Sequence, residues 1–420
     1  MAYPISDSFY SGGQEFVREA LHALVEAGLK RKLRDLEGAP GTRVRLAGRE
    51  MLLLCSNNYL GLATDERLKR AAQNATEIYG CGATGSRLIS GNTEPHRALE
   101  RAIASYKGTE AALVFASGYH ANLGAITALV EAGDAIFSDA LNHASLIDGA
   151  RLSRAEILIY AHRDVEDLEN KLRSRSSARR KLILTETIFS MDGDLAPLRE
   201  IAYLAKKFGA LLLVDEAHAT GLLGSTGAGL VEALGLQPAV NIQMGTFSKA
   251  LGSLGGYLAA DKDLIDYFLN RSRSFIFTTG LPPGVLAAST EAVRIARNEP
   301  AHRESLWRNV GQLRDGLTAM GFGLGPSQSQ ILPLLLYDKR RTMAACRFLL
   351  RHGIFVQGIR APTVPPGTER LRIASMATHT AQDLEAALAV FAELQSLLQS
   401  PKRRTIAVPS PTAAPRGVSK

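Results

Sequence analysis

Short apolar runs alternate with helical stretches along residues 111–260, and few architectures accept such a sequence. The runs lie at 111–115, 135–137, 157–160, 182–184, 211–214, 242–244 and 256–260, with helical periodicity between most of them, as at 166–172 and 198–208. Apolar runs without inside–outside alternation belong to strands buried on both faces, and helical connections join parallel neighbours. The pattern predicts an α/β fold with one large, mostly parallel sheet of about seven strands covered by helices on both faces.

Outside that block the pattern changes. Residues 14–36 read as an amphipathic helix that leads into a strand at 51–54. After Pro282-Pro283 a long helical region runs past Trp307, and strands at 331–336, 354–356 and 371–374 are separated by helices, which predicts a smaller α+β domain. From Pro401 the chain carries four prolines, small residues and charges without periodicity, the composition of a disordered tail. The expected division is an N-terminal helical segment (1–50), a large α/β domain (51–290), a small C-terminal α+β domain (291–398) and a disordered basic tail (399–420).

Composition removes several classes of function. With 46% hydrophobic and 21% charged residues, the 420-residue chain is neither disordered in bulk nor fibrous. No run reaches the roughly 18 apolar residues of a membrane span. The start, MAYPISDSFYSGGQEF, has no basic flank before an apolar stretch, so no secretory signal is read and a cytoplasmic location is expected. Cys55, Cys81 and Cys346 lie far apart with no CxxC pair, as reduced thiols do, and neither a disulfide framework nor a metal site is expected. The net charge of +8 would fit a polyanion partner, yet Lys402, Arg403, Arg404, Arg416 and Lys420 sit in the last twenty residues, where no acid offsets them. The remainder, 44 basic against 41 acidic residues, carries only +3, so nucleic acid is not an expected partner.

In open α/β sheets, ligands sit beyond the carboxyl ends of strands. Asp215-Glu216-Ala217-His218 follows the run 211–214 and puts an acid at a strand tip with an imidazole three residues later. Such an acid also serves to cap helices or bind metals. Thirty-four residues after Asp215, Lys249 lies in Thr246-Phe247-Ser248-Lys249-Ala250-Leu251-Gly252, after the run 242–244. A lysine desolvated near an acid has a lowered pKa and forms Schiff bases readily. The pair suits pyridoxal phosphate, whose ring becomes an electron sink when a carboxylate keeps its nitrogen protonated.

Other strand ends add to this. Ala116-Ser117-Gly118-Tyr119 leaves a strand and opens a helix, so the amides of Gly118 and Tyr119 are free to hold a phosphate, although an ordinary strand-to-helix turn has the same composition. Asn142-His143-Ala144-Ser145 supplies a flat imidazole that suits either a cofactor ring or a structural role. Arg360 and the segment Arg370-Leu371-Arg372 offer guanidinium forks that fit a carboxylate in two parallel hydrogen bonds, a task arginine performs better than lysine, but a lone arginine is more often solvated.

Five segments together resemble the α-oxoamine synthases, a branch of the fold-type-I pyridoxal-phosphate enzymes that joins an amino acid to an acyl-CoA with loss of carbon dioxide. They are Ser56-Asn57-Asn58-Tyr59-Leu60-Gly61, Gly85-Ser86-Arg87-Leu88-Ile89-Ser90-Gly91, Asp215-Glu216-Ala217-His218, Thr246-Phe247-Ser248-Lys249 and Arg370-Leu371-Arg372. The resemblance covers residues 28–394 and implies the fold-type-I architecture with pyridoxal 5′-phosphate as cofactor. It implies that Lys249 carries the cofactor and later removes the α-proton, that Asp215 pairs with the ring nitrogen, and that His143 stacks on the ring. His218 and Ser190 would hydrogen-bond the phenolic oxygen, and Gly118, Tyr119 and Thr246 would hold the phosphate. Thr278 and Thr279 match a segment that in such enzymes reaches the phosphate of a second subunit, so a homodimer with shared sites is implied. Arg372 matches the arginine that binds the amino acid's carboxylate, with Asn57 beside it, while Arg31, Arg360 and Thr363 match positions near the acyl-CoA or the product.

Within that family, Ile359-Arg360-Ala361-Pro362-Thr363-Val364-Pro365 with Gly367-Thr368 is most similar to the 8-amino-7-oxononanoate synthases, which condense L-alanine with a pimeloyl thioester in biotin synthesis. Ser86 stands where glycine-using aminolevulinate synthases favour threonine; it leaves room for a methyl group, a contact worth about 1–3 kcal/mol. Ala361 departs from a proline expected there, which loosens the loop carrying Arg360 and would broaden acyl choice. Glycine C-acetyltransferases, serine palmitoyltransferases and other oxoamine synthases are the alternatives, and the rival from another class is a non-catalytic pyridoxal-phosphate-binding regulatory module. Delivery of the acyl group by coenzyme A or by a carrier protein is left open. A nicotinamide-binding fold is disfavoured, because no GxGxxG follows the first strand of the α/β region.

Overall fold

The computed structural model describes residues 14–399; residues 1–13 and all but the first residue of the expected disordered tail lie outside the described residues. Helix α1 (Glu15–Glu26) opens the described chain and ends well before residue 36, where the sequence periodicity had placed its end. The reason is Gly28, which turns into the left-handed region at φ 64°, the usual way a helix stops. Three short strands follow, β1 (Leu36–Glu37), β2 (Arg43–Leu46) and β3 (Arg49–Leu53). Helices α2 (Glu66–Tyr79) and α3 (Glu94–Lys107) come next, and the later helix Pro283–Asn298 packs on both.

The largest layer is a seven-stranded sheet built from β4 (Ala111–Phe115), β5 (Ala135–Asp139), β6 (Glu156–Tyr160), β7 (Lys181–Glu186), β8 (Leu211–Asp215), β9 (Ile242–Thr246) and β10 (Gly256–Ala260). Its spatial order is β4-β10-β9-β8-β7-β5-β6. Strands β5 to β9 are joined by parallel pairings, and β10 runs antiparallel to both of its neighbours. Alternate residues enter two cores. Ile136, Leu182, Leu184 and Leu213 pack with helices α4 (Gly118–Leu129) and α5 (Ala144–Ser153), while Phe137, Ile183, Leu212 and Val214 pack with α6 (Val165–Ser174) and α7 (Leu198–Phe208). Both faces being covered explains the unbroken apolar runs, and each such side chain contributes roughly 1.5–3 kcal/mol of burial.

Parallel register brings four strand ends to one edge. Asp139, Glu186, Asp215 and Thr246 close β5, β7, β8 and β9, and all four are buried. Behind them the buried Lys107–Glu216 ion pair, with Lys107 also donating to the Ala228 carbonyl, anchors the segment after β8. A separate antiparallel sheet has the order β11 (Ile331–Leu335), β14 (Arg370–Ala374), β13 (Gln357–Ile359). Strand β12 (Ile354–Phe355) instead pairs with β3, so residues 36–53, expected to be helix and linker for most of their length, join a sheet with the later part of the chain. No described helix is long and apolar enough to cross a membrane.

Candidate active site

Asp215 ends β8 with its carboxylate 5% exposed. The backbone N–H of Ala217 donates to Oδ1 at 2.9 Å, and Asn122 Nδ2 donates to Oδ2 at 2.9 Å. Asn122 is fully buried on α4, one turn after Gly118, and its Nδ2 also donates to Ser145 Oγ at 2.8 Å. Lys249 lies just beyond β9, half-buried, and its Nζ has no hydrogen-bond partner among the described residues. Burial lowers its pKa; Asp215 and Glu186 oppose that effect, and Arg372 adds to it.

The N-terminus of α4 faces the same edge. Ser117 caps the helix by accepting from His120 N at 3.2 Å, which leaves the Gly118 and Tyr119 amides ahead of the first turn. Strand β10 passes so close that a Cβ on Gly256 would stand 2.5 Å from Gly118 N, so only glycine fits there. Thr246 lies against Gly118, its Cβ 3.5 Å from where a Cβ on that glycine would be. The Thr246 hydroxyl is already engaged, donating to the Gly255 carbonyl at 2.7 Å and accepting from Ser248 N at 3.2 Å. The Tyr119 side chain turns away and bonds Asp148.

Tyr59 is the hub of the remaining contacts. It is fully buried, and its hydroxyl lies 2.8 Å from His218 Nδ1 and 3.0 Å from Asn57 Oδ1, and accepts from an Arg372 Nη at 3.3 Å. Arg372, on β14, also donates to Asn57 Oδ1 at 3.1 Å and through Nε to the Ser190 carbonyl at 2.7 Å. Burial pushes the His218 pKa well below its ordinary value, and Lys249, Arg372 and His143 act in the same direction, so the imidazole is neutral. His143 caps α5, its Nδ1 accepting from Ser145 N at 3.2 Å. His143 keeps exposed surface, yet burial, with Lys249 adding to it, lowers its pKa against the pull of Asp215.

The loop that carries Ser190 is clamped from both sides. On one side Arg370 bonds Asp192 and donates to the Met191 carbonyl at 3.2 Å. On the other, His162 sits edge-on to Phe189, 4.4 Å between ring centroids, and bridges Asp139 at 2.8 Å and Asp194 at 2.9 Å. Burial works against its charged form, but the two carboxylates outweigh that and raise its pKa to about 9.

Asn57, Ser190, His218 and Arg372 thus form one network through Tyr59, Asp215 forms another with Asn122, Ser145 and His143, and Gly118, Thr246 and Lys249 lie at the same sheet edge. Arg31 and Thr363 meet elsewhere, the guanidinium donating to the threonine hydroxyl at 3.3 Å, and Thr363 N donates to the Arg360 carbonyl at 3.0 Å. The Arg360 guanidinium faces Met343 Sδ at 3.4 Å with Nε buried and unpartnered. Thr278 and Thr279 line a small separate cavity with Arg87 and His96, and Thr279 bridges to Ser86. Sequence reading missed Tyr59, Asn122 and Glu186 as site residues, although Tyr59 stands inside a segment already singled out and Asn122 only three residues after another. No cluster of three or more His, Cys, Asp or Glu that would hold a metal occurs among the described residues.

The sequence profile described as aminotransferase class I and II matches residues 49–391. An 8-amino-7-oxononanoate synthase of Geobacter metallireducens is 52% identical over 378 residues, covering 90% of this chain and 97% of its own. The chain belongs to the aminotransferase class I and II family, in its α-oxoamine synthase branch. Among solved structures of this family, an SPT (serine palmitoyltransferase) solved with PLP superposes with a TM-score of 0.88 at 35% identity, covering 93% of this chain and 99% of that one. An 8-amino-7-oxononanoate synthase from Francisella tularensis has a TM-score of 0.71 at 26% identity, covering 83% and 98%. The fold is therefore that of the fold-type-I pyridoxal-phosphate transferases, as the strand pattern and motifs had implied. The residues fit such a group: an unpaired amine beside a carboxylate, a glycine-walled helix N-terminus, and a buried Asn122 Oδ1 left without a partner.

Proposed function

We propose that this chain is an 8-amino-7-oxononanoate synthase, which condenses L-alanine with a pimeloyl thioester to give 8-amino-7-oxononanoate, coenzyme A and carbon dioxide. The observation that carries the reading is the 52% identity over nearly the whole of a relative with that name, on a chain whose Lys249, Asp215 and Arg372 converge at one sheet edge. Pyridoxal 5′-phosphate, when bound, supplies an electron sink for the pair left at the amino acid's α-carbon.

The chain's own residues do the rest. The Gly118 and Tyr119 N–H groups would hold the cofactor's phosphate, with Thr246 beside them. Asp215, fixed by Asn122 and Ala217, holds a proton at the ring nitrogen. His143 covers the ring face. Neutral His218, its Nδ1 tied to Tyr59, would offer Nε2 to the phenolic oxygen, and Ser190 would assist. Arg372 has one N–H left on each terminal nitrogen after its three bonds, a matched pair for the substrate carboxylate, with Asn57 alongside. Lys249, its pKa lowered by burial, is the catalytic base that takes the α-proton.

Further parts of the reading concern partners. Arg31, Arg360 and Thr363 serve the acyl thioester or the product, whether coenzyme A or a carrier protein delivers it. The active unit is a homodimer, with Thr278 and Thr279 reaching the second subunit's phosphate, and the location is cytoplasmic. The division into 51–290 and 291–398 is likewise proposed. A serine palmitoyltransferase-type activity is the second reading, favoured by the closer superposition on SPT. Borohydride reduction of the yellow holoenzyme followed by peptide mapping should place the label on Lys249; an unmodified Lys249 peptide with colour retained would overturn the assignment. Thiol release from alanine, glycine and serine against acetyl-, pimeloyl- and palmitoyl-CoA then separates the two activities. Release with serine and palmitoyl-CoA alone would select the second.

A further inference from the structure

Glu186 takes no part in the mechanism above, yet it ends β7 in direct register with Asp215 on β8. Its carboxyl is 3% exposed, and Oε1 is shut off from solvent with no hydrogen-bond partner. Asp215 has two donors, and no lysine or arginine pairs with Glu186 among the described residues. The charged groups that face it are Asp215 on β8 and Lys249 beyond β9, together with the backbone amides of His143, at the head of α5, and Ser190. Burial and Asp215 drive its pKa well above the carboxylate range; Lys249 and the two amides oppose them without prevailing. Two adjacent buried carboxyl groups resist ionising together, and the proton stays on the one that keeps an oxygen buried without a hydrogen-bond partner, Glu186.

We propose that Glu186 is a positioning residue that works as a neutral carboxylic acid, leaving Asp215 the single anion that the cofactor's ring nitrogen and Lys249 meet at this strand edge. With a second anion there, the ammonium form of Lys249 would be held and the base lost. This consequence rests on the pocket being a pyridoxal-phosphate site; the protonation of Glu186 does not.

Infrared difference spectroscopy of holoenzyme and apoenzyme at pH 8 tests it. A carboxylic-acid carbonyl band that shifts in heavy water, and is lost in both forms of Glu186→Gln, is expected. Absence of the band from wild type, its survival in Glu186→Gln, or loss of carboxylate bands instead would overturn the proposal. If Glu186→Gln does not fold, Glu186→Met serves the same comparison. The visible-absorbance titration of the holoenzyme should keep its midpoint in the variant, whereas a fall of about one pH unit or more would mean that a negative charge had been removed. A wild-type protein that never acquires a visible band would sink the cofactor reading, and the infrared comparison would still decide Glu186.

Discussion

At the scale of single residues the site depends on one phenol. Tyr59 touches the histidine assigned to the phenolic oxygen and the arginine assigned to the carboxylate, so its hydroxyl links cofactor and substrate recognition. Tyr59→Phe should leave His218 Nδ1 and one Arg372 N–H without this partner, a loss of about 1–2 kcal/mol and hence roughly tenfold in kcat/KM. Steady-state kinetics with alanine, alongside a cofactor titration, would check it; unchanged constants would show that the hub is structural. Asp215, His218 and Lys249 were legible in the sequence because each follows an apolar run, where an α/β sheet presents its ligands. Tyr59, Asn122 and Glu186 were not. The first two act on partners 159 and 93 positions away, a relation that no local pattern encodes. Glu186 was hidden because the apolar run stops at Leu184, while the strand continues for two polar residues.

Elements set how firmly these residues are held. The meeting of β10 with the head of α4 is backbone against backbone, so Gly256→Ala has nowhere to place a methyl. It should cost about 1–3 kcal/mol and weaken cofactor binding, read from the apoenzyme's Tm and a pyridoxal-phosphate titration. His162 bridges both Asp139 and Asp194 as a double donor only while charged. Its folded pKa of about 9 exceeds the unfolded 6.5, so its stabilisation is complete below pH 6.5 and lost as pH rises through about 9. Denaturant unfolding of wild type should lose about 2–3 kcal/mol across that window, and His162→Gln should flatten the slope. Strand positions were legible to within a residue or two, since burial on both faces writes itself as apolar runs. The pairing of β12 with the sheet of residues 36–53 was not, because strands of two to five residues carry too little periodicity to separate from linker.

For the whole molecule, α1 is an element left uncovered among the described residues. None of its residues is buried, and Phe16 and Val25 are 69% and 52% exposed. A second copy of the chain, as the homodimer reading requires, is a natural cover for that face. Sedimentation should give twice the chain mass, and activity should fall on dilution below the dissociation constant; a fully active monomer would refute the shared-site arrangement. Removal of residues 400–420 should leave turnover unchanged, since their composition offers no core to pack; loss of activity would place them at the site. Arg372 reaches back 315 positions to Asn57. A ribosome releases residues in order, so a nascent chain displays the lysine, the acid and the helix amides long before the guanidinium that completes the pocket. Under the proposed roles, synthesis must pass Arg372 before the carboxylate fork can join the lysine, the acid and the helix amides in one pocket.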